Sequence, residues 1–352
     1  MTILHFRIFD STFVIKDREI LSRHFRVRDY RIDNTSPVAY FLALVRLFFF
    51  LLRNGKKYDA YFIRFADWHA AIIAFFGRLY RRKFYIVIGG FDVAAIPKYK
   101  YGGHLKGFRS RSIRYAMNRA TCLLPNSRSM VYYENHFIGE GVVRGGIRHF
   151  VPGIRSRIEV VHNGYDSEKF RCPPGTEKRS MVITVAVVNR ERDFYMKGMD
   201  RFIETCAQLP GVEFLAVGIS RALTGRMGII PPPNLRILEY TGTEELIRLY
   251  SEAAVFCLFS LSEGSPNALC EAMLCECIPV GTDVTSIPEI IGDTGFVIRK
   301  NAPEAFTENV RAALEADRQL GMSARQRIIG NYSLAQREKK LVSILTDSAY
   351  VM

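Results

Sequence analysis

The sequence predicts an α/β protein with two doubly wound parallel sheets, one following the other along the chain. Short runs rich in Val, Ile, Leu and Phe alternate with longer segments of helical spacing, the pattern of β-α-β units rather than hairpins. The chain has 352 residues, 48% of them apolar, which is enough for two cores. The charge balance also turns over near the middle. Residues 1–171 hold 30 Lys and Arg against 13 Asp and Glu, whereas 172–352 hold 19 against 22. At that turnover lies Cys172-Pro173-Pro174-Gly175-Thr176-Glu177-Lys178, a stretch of linker composition.

In the first half, Thr2–Phe9 reads as a strand and Phe13–Leu21 as a loop entering a short amphipathic helix. Tyr40–Leu52 is the most apolar segment, flanked by Arg53, Lys56 and Lys57. Its 13 residues, with Arg46 in the middle, fall short of the roughly 20 that span a bilayer. It reads as a helix packed on a sheet, with attachment to an anionic membrane through other basic residues of this half beside it. Tyr58–Phe65 and Phe84–Ile88 are strands separated by the helix Trp68–Tyr80. His69 falls where strand gives way to helix, so it is a candidate ligand contact, against the commoner role of a packed or capping side chain. Gly89 and Gly90 end the next strand, where two glycines permit positive φ and close approach of a ligand to the main chain. Asp92 is a candidate for a ligand hydroxyl, against an Asx turn. Lys106–Arg119 is a basic loop and helix, and Thr121–Asn126 is a strand. Gly139-x-Gly141-x-x-x-Gly145-Gly146 is discarded as a dinucleotide fingerprint because Arg144 stands where its third glycine belongs.

In the second half, Met181–Val188 is a β-branched run of the kind buried in parallel sheets. A polar loop, Asn189–Gly198, leads to the helix Met199–Leu209. Glu213–Gly218, Leu235–Tyr240 and Ala254–Ser260 are strands, with the helix Glu244–Glu252 before the last of them. Gly295–Arg299 is the final strand. Helices over Pro303–Ala316, Ser323–Gly330 and Leu334–Tyr350 close the chain.

Composition excludes several classes. No apolar run of 18 residues and no signal-peptide pattern occur, so a cytoplasmic protein is expected. The seven cysteines are scattered without CxxC pairs, which points to reduced, buried thiols and no metal site. A net charge of +14, concentrated in the first half, implies an anionic partner. Nucleic acid is not expected, since no helix-turn-helix, zinc-finger or RNP signature accompanies the charge.

The most informative stretch is Leu261–Ile291. After the strand Ala254–Ser260 comes Ser262-Glu263-Gly264-Ser265-Pro266-Asn267, then Ala268-Leu269-x-x-Ala272-Met273 at helical spacing. Ser265 is the expected N-cap and Pro266 the first helical residue. Ser286-x-x-Glu289 further on has the form of a capping box. A helix start facing the end of a parallel strand attracts anions, because its N–H groups are unpaired and the dipole points there. Glu263 and Glu271 are eight residues apart, roughly 12 Å along a helix. That exceeds the roughly 5–10 Å of a glycosidase acid/base pair. The spacing better fits two hydroxyl-rich ends of one ligand with a phosphate between them.

Glu263-x7-Glu271, with Pro279–Asp283 and Ile287–Ile291 after it, resembles the E-x7-E pattern of retaining family 4 glycosyltransferases (glycosyl transferases group 1) of GT-B architecture. Ile158–Asp166 is similar to the strand and Asn-Gly-x-Asp turn that close their first domain. Asn189–Gly198 is similar to their Arg-loop-Lys-Gly segment. Ile88–Asp92 resembles an Ile-His-Gly-x-Asp segment, with Gly89 where a histidine is common. The resemblance covers 158–300 well and 58–127 more loosely. It implies two Rossmann-like domains facing a central cleft: 1–170 for the acceptor, 171–332 for the nucleotide-sugar, and a helix within 333–352 returning to the first domain. It also implies metal-independent, retaining transfer of a sugar from a UDP- or GDP-sugar to an acceptor hydroxyl, with no cofactor. Glu263, Lys197 and Arg190 are the catalytic candidates. Glu271, Gly264, Ser265, Pro266, Asn267, Arg192 and Tyr240 are donor-binding candidates, with Arg190 and Arg192 competing for the diphosphate. Gly89, Gly90, Asp92 and His69 fall on the acceptor side. The acceptor implied is a lipid-linked glycan of surface polysaccharide or glycolipid synthesis, with peripheral association to the inner face of the cytoplasmic membrane through the basic domain. The alternatives are a soluble enzyme acting on a small molecule or sugar phosphate, and a non-catalytic binder of anionic surfaces or nucleic acid.

Overall fold

A computed structural model describes residues 1–139 and 141–347, which form two compact units. One unit takes Met1–Tyr133, Arg144–Asn163 and the chain from Ala335 on; the other takes Glu134–Val143 and Gly164–Leu334. The end of the expected terminal helix, residues 348–352, lies outside the described residues.

The first unit is built on β1 (Thr2–Arg7), β2 (Arg26–Arg31), β3 (Ala60–Arg64), β4 (Lys83–Ile88), β5 (Cys122–Pro125) and β6 (Arg157–Ile158), in the order β2-β1-β3-β4-β5-β6 with every pair parallel. Parallel neighbours need crossovers of one hand, so the direction of travel decides which face each helix covers. Helix α1 (Thr12–His24) leads from β1 to β2. Helices α2 (Pro37–Asn54), α3 (Trp68–Leu79) and α4 (Gly107–Arg119) travel the opposite way. Two cores result. One joins Leu47, Leu51, Ile73, Phe76, Ile113 and Met117 from α2–α4. The other joins Ile20 and Leu21 of α1 to Leu341, Ile344 and Leu345 of the terminal helix Leu334–Thr346.

Helix α2 departs from expectation in two ways. It runs 18 residues rather than 13, because Ser36 Oγ accepts the Ala39 N–H at 3.1 Å and Pro37 fits the first turn. The stretch Pro37–Lys57 meets the length and composition of a spanning helix, which overturns the expectation that no segment does. The packed-helix reading accounts for only one side: Ala43, Leu47 and Leu51 are buried, while most of the remaining apolar side chains are exposed.

The second unit is built on β7 (Arg179–Val188), β8 (Glu213–Ile219), β9 (Leu235–Leu238), β10 (Ala253–Leu258), β11 (Ile278–Thr282) and β12 (Phe296–Ile298). Their order is β9-β8-β7-β10-β11-β12, again all parallel. The chain leaves β7 toward one edge, then returns to place β10 on the other side of it. Adjacent crossovers diverge there, opening the crevice where such sheets bind ligands, at the carboxyl ends of β7 and β10.

Candidate functional site

The loops that leave those two strand ends carry the charged candidates. Beyond β7 the expected loop is largely a short helix, α5 (Glu191–Met196), followed by α6 (Met199–Gln208). Between them Gly198 has φ of 66°, a left-handed conformation natural to glycine. A Cβ on Gly198 would collide with the Phe259 carbonyl oxygen, so glycine is required twice over. Close by, the Leu261 N–H donates to Met196 O at 2.9 Å. This pinning puts Lys197 beside the β10 loop. Gly198→Ala is therefore expected to cost several kcal/mol from combined clash and strain; chemical denaturation would measure the loss, and a neutral result would contradict it.

Lys197 Nζ donates to Glu263 Oε1 at 2.6 Å, and Ser260 Oγ donates to the same oxygen at 2.7 Å. The Glu263 side chain is only 10% exposed and that of Lys197 33%, so the pair lies at the margin of solvent with one carboxylate oxygen committed. The main chain of Glu263 is fixed as well. Its N–H donates to Thr285 Oγ1 at 2.9 Å, and Ser286 Oγ donates to its carbonyl at 3.3 Å. The expected capping box therefore does not form: Ser286 makes no side-chain cap and turns to Glu263 instead.

Helix α7 (Asn267–Leu274) begins one residue later than a Ser265 cap would have it. Pro266 is the N-cap, with no side-chain cap bond. Proline has no side-chain oxygen to accept from the first-turn amides, so the loop geometry rather than a capping hydroxyl sets the start. Ser265 and Asn267 instead meet Tyr165, whose hydroxyl lies 3.2 Å from Ser265 Oγ and donates to Asn267 Oδ1 at 3.1 Å. Tyr165 is buried, and burial pushes its phenol pKa well up, so it stays a neutral donor. Tyr165 belongs to the Asn-Gly-x-Asp turn, yet nothing in its spacing points to Ser265. The same holds for buried Asn135, whose Nδ2 donates to Leu261 O at 2.6 Å. Glu271 lies one turn into α7 and is half-buried.

The two arginines converge on one carboxylate. Arg190 Nε donates to Asp193 Oδ2 at 3.3 Å and Arg192 Nη2 to Asp193 Oδ1 at 3.0 Å. Arg190 is the more exposed of the two. Tyr240 follows β9 and is almost fully exposed. Among the described residues no group of three His, Cys, Asp or Glu lies together as metal ligands would.

The first-unit candidates occupy the carboxyl ends of β3 and β4, but two of them turn inward. His69 is buried, with Nδ1 2.8 Å from the Tyr40 hydroxyl and Nε2 3.3 Å from Phe65 O. A carbonyl accepts only, so the ring proton sits on Nε2 and Nδ1 takes the Tyr40 hydrogen. Burial pushes the His69 pKa down to about 4, which keeps this neutral tautomer. Asp92 is also buried, its Oδ2 accepting the Gly89 N–H at 2.9 Å; burial pushes its carboxyl up to about 8. It closes the glycine turn, which is the local alternative to contacting a ligand. At Gly89 a Cβ would press on the Phe65 ring, so that ring fills the space where a histidine is common. Phe65 itself has φ of 73°, unusual for a bulky residue, and its ring stacks on Phe9 with centroids 5.6 Å apart.

Two six-stranded parallel sheets, with the charged candidates at the switch point of the second, define a GT-B protein. Residues 182–316 match the family model "Glycosyl transferases group 1". It is 36% identical over 83 residues to O-antigen chain mannosyltransferase B of Escherichia coli, covering 24% of this chain and 22% of that protein. It is 26% identical over 222 residues to alpha-maltose-1-phosphate synthase of Mycolicibacterium smegmatis, covering 53% of this chain and 56% of the other. The chain thus spans at most about half the length of these curated relatives. Among solved structures, HepE of Anabaena in complex with UDP superposes over 98% of this chain and 100% of its own, with a TM-score of 0.72 at 14% identity. At that identity the likeness establishes the fold.

Proposed function

We propose that this protein is a metal-independent, retaining glycosyltransferase that moves a sugar from a UDP- or GDP-sugar to a hydroxyl of a lipid-linked glycan. The observation that carries the reading is the Lys197–Glu263–Ser260 cluster beside the uncapped start of α7 at the switch point. In this reading the loop amides of Gly264 and Ser265 and the Asn267 N–H at the start of α7 face the donor phosphates and sugar, and Lys197 with Arg190 or Arg192 neutralises the diphosphate. A nucleoside diphosphate is a weak base, so it needs charge neutralisation more than protonation in order to leave. Glu263 holds hydroxyls of the transferred sugar through its remaining oxygen, and Glu271 holds the ribose. The acceptor oxygen bonds to the anomeric carbon on the face that the phosphate leaves. The acceptor's proton passes to the departing phosphate oxygen, so configuration is retained without a separate general base.

The mannosyltransferase named above is described as acting on an O-antigen chain. Together with the basic first domain, this favours a lipid-borne glycan acceptor and peripheral association with the cytoplasmic membrane over a soluble small-molecule acceptor. Calorimetry with a panel of UDP- and GDP-sugars tests the donor half. One donor should bind with a micromolar-range Kd, and Glu271→Ala should weaken it by ten- to a hundredfold, as loss of a charged hydrogen bond predicts. If no nucleotide-sugar binds, or if Glu271→Ala binds unchanged, the donor assignment is wrong.

A further inference from the structure

Helix α2 has two apolar faces and only one of them is packed. Val38, Phe41, Leu42, Val45, Phe48, Phe49 and Leu52 are all exposed, from 39% at Val45 to 70% at Val38. Their spacing of three, four and seven places them on one continuous stripe, opposite the buried Ala43, Leu47 and Leu51. A soluble helix ordinarily carries polar residues there. The stripe continues on the neighbouring helix. Phe48 packs edge-on against Phe76 of α3, Phe76 against Phe75, and Phe75 and Leu79 are exposed in turn. The rim of this surface is basic. Arg46 and Arg53 flank the stripe one heptad apart on α2, and Lys56 and Lys57 follow its end, all four exposed.

Next to Leu79, Arg78 lines a recess of about 440 Å³ together with Asn118, Arg119, Gly153 and Arg155. None of the three arginines has a carboxylate within ion-pair distance among the described residues, whereas Arg7, Arg18, Arg23, Arg64 and Arg109 of the same unit are all paired. A wide apolar strip edged by cations, with an unneutralised arginine recess at its border, matches a leaflet of anionic phospholipid. Acyl chains receive the aromatic and aliphatic side chains, and phosphates meet the guanidinium groups.

We infer that the outer surface of α2 and α3 is a membrane-docking face, and that Arg78, Arg119 and Arg155 form its headgroup site. The helix lies in the interface rather than crossing it, because its other side is committed to the sheet. The inference deepens the reading of a lipid-borne acceptor by naming the docking surface, and it can be tested without donor or acceptor.

The test is flotation of the full chain with phosphatidylcholine vesicles, with and without phosphatidylglycerol. The wild type should float only with the anionic vesicles, and binding should weaken with salt. Phe41→Ser with Phe49→Ser should lower vesicle affinity at least tenfold. Arg78→Gln with Arg119→Gln and Arg155→Gln should lower it on the order of a hundredfold. UDP- and GDP-sugar binding by calorimetry should stay at wild-type values in both variants, which shows that they fold and separates this inference from the donor assignment. Flotation that is unchanged in either variant overturns the inference. So does a wild type that fails to float yet dimerises through this face, with Phe49→Ser restoring the monomer.

Discussion

Lys197→Ala is expected to lower glycosyl transfer by about two to three orders of magnitude while leaving the fold nearly as stable as before. The size follows from removing one preorganised charge from a developing oxyanion, a loss of about 3–4 kcal/mol of transition-state stabilisation. The small stability cost follows from exposure. Lys197 is about one-third exposed, and a partly solvated ion pair contributes little once screening and side-chain entropy are counted. Glu263 also keeps its Ser260 bond when the lysine is gone, so the carboxylate is not left without a partner. Glu263→Gln should cost turnover comparably, since the neutral amide keeps the shape of the site and loses its charge. The measurements are kcat and KM with the donor selected by calorimetry, set beside a thermal melt. A fall in kcat at unchanged Tm supports the assignment. Turnover within threefold of wild type in Lys197→Ala would remove that residue from the chemistry, and an equal collapse of Tm would make its role structural.

The features legible in the sequence are those that repeat a period. The β-branched run of β7 and the apolar runs of β3 and β4 sit in the interiors of parallel sheets, where both faces are buried and the sequence reads as a continuous hydrophobic block. Strand β2, Arg-Val-Arg-Asp-Tyr-Arg, is an edge strand with mostly exposed side chains, so nothing in its run of charges marks it as a strand. Within the candidate site, Glu263, Glu271 and Lys197 could be singled out because local sequence surrounds each of them. Tyr165, Asn135 and Ser260 could not. Tyr165 and Asn135 reach partners a hundred or more positions away, and Ser260 meets the Glu263 carboxylate only through the turn of the loop after β10. His69 and Asp92 show the converse: the strand end places them near a rim, but the local bonding options that every buried polar group must satisfy turn both inward. The stripe on α2 was visible as an apolar segment. Its two-sidedness was not, because hydropathy does not say which face meets the sheet.

Asp17→Ala should be the most damaging single change to stability in the first unit, at about 3–5 kcal/mol. Asp17 is buried between two buried arginines. Arg337 Nε donates to its Oδ1 at 2.7 Å, and Arg64 Nη2 to its Oδ2 at 2.9 Å. Both guanidinium groups have further partners. Arg337 donates to Val161 O and His162 O at 3.0 and 2.7 Å, and Arg64 to Asn163 Oδ1 at 3.2 Å. Asp17 is the acidic partner that both arginines share, so its removal leaves two buried cations without that counter-charge. Because Arg337 lies in the terminal helix, the loss should appear there first, as faster amide exchange across 334–346. Burial alone would raise the Asp17 pKa, but Arg337 and Arg64 outweigh it and hold the carboxyl at about 2. The folded pKa is thus below the unfolded one, and the contribution is fully present above about pH 4. It is lost as pH falls toward about 2, roughly 2–3 kcal/mol in all. Wild-type stability should therefore drop through this acid window, and the Asp17→Ala variant should lack that part of the drop. Urea unfolding at several pH values separates the cases. A penalty under 1 kcal/mol at neutral pH, or an acid dependence unchanged in the variant, would show that the triad does not hold the terminal helix in place.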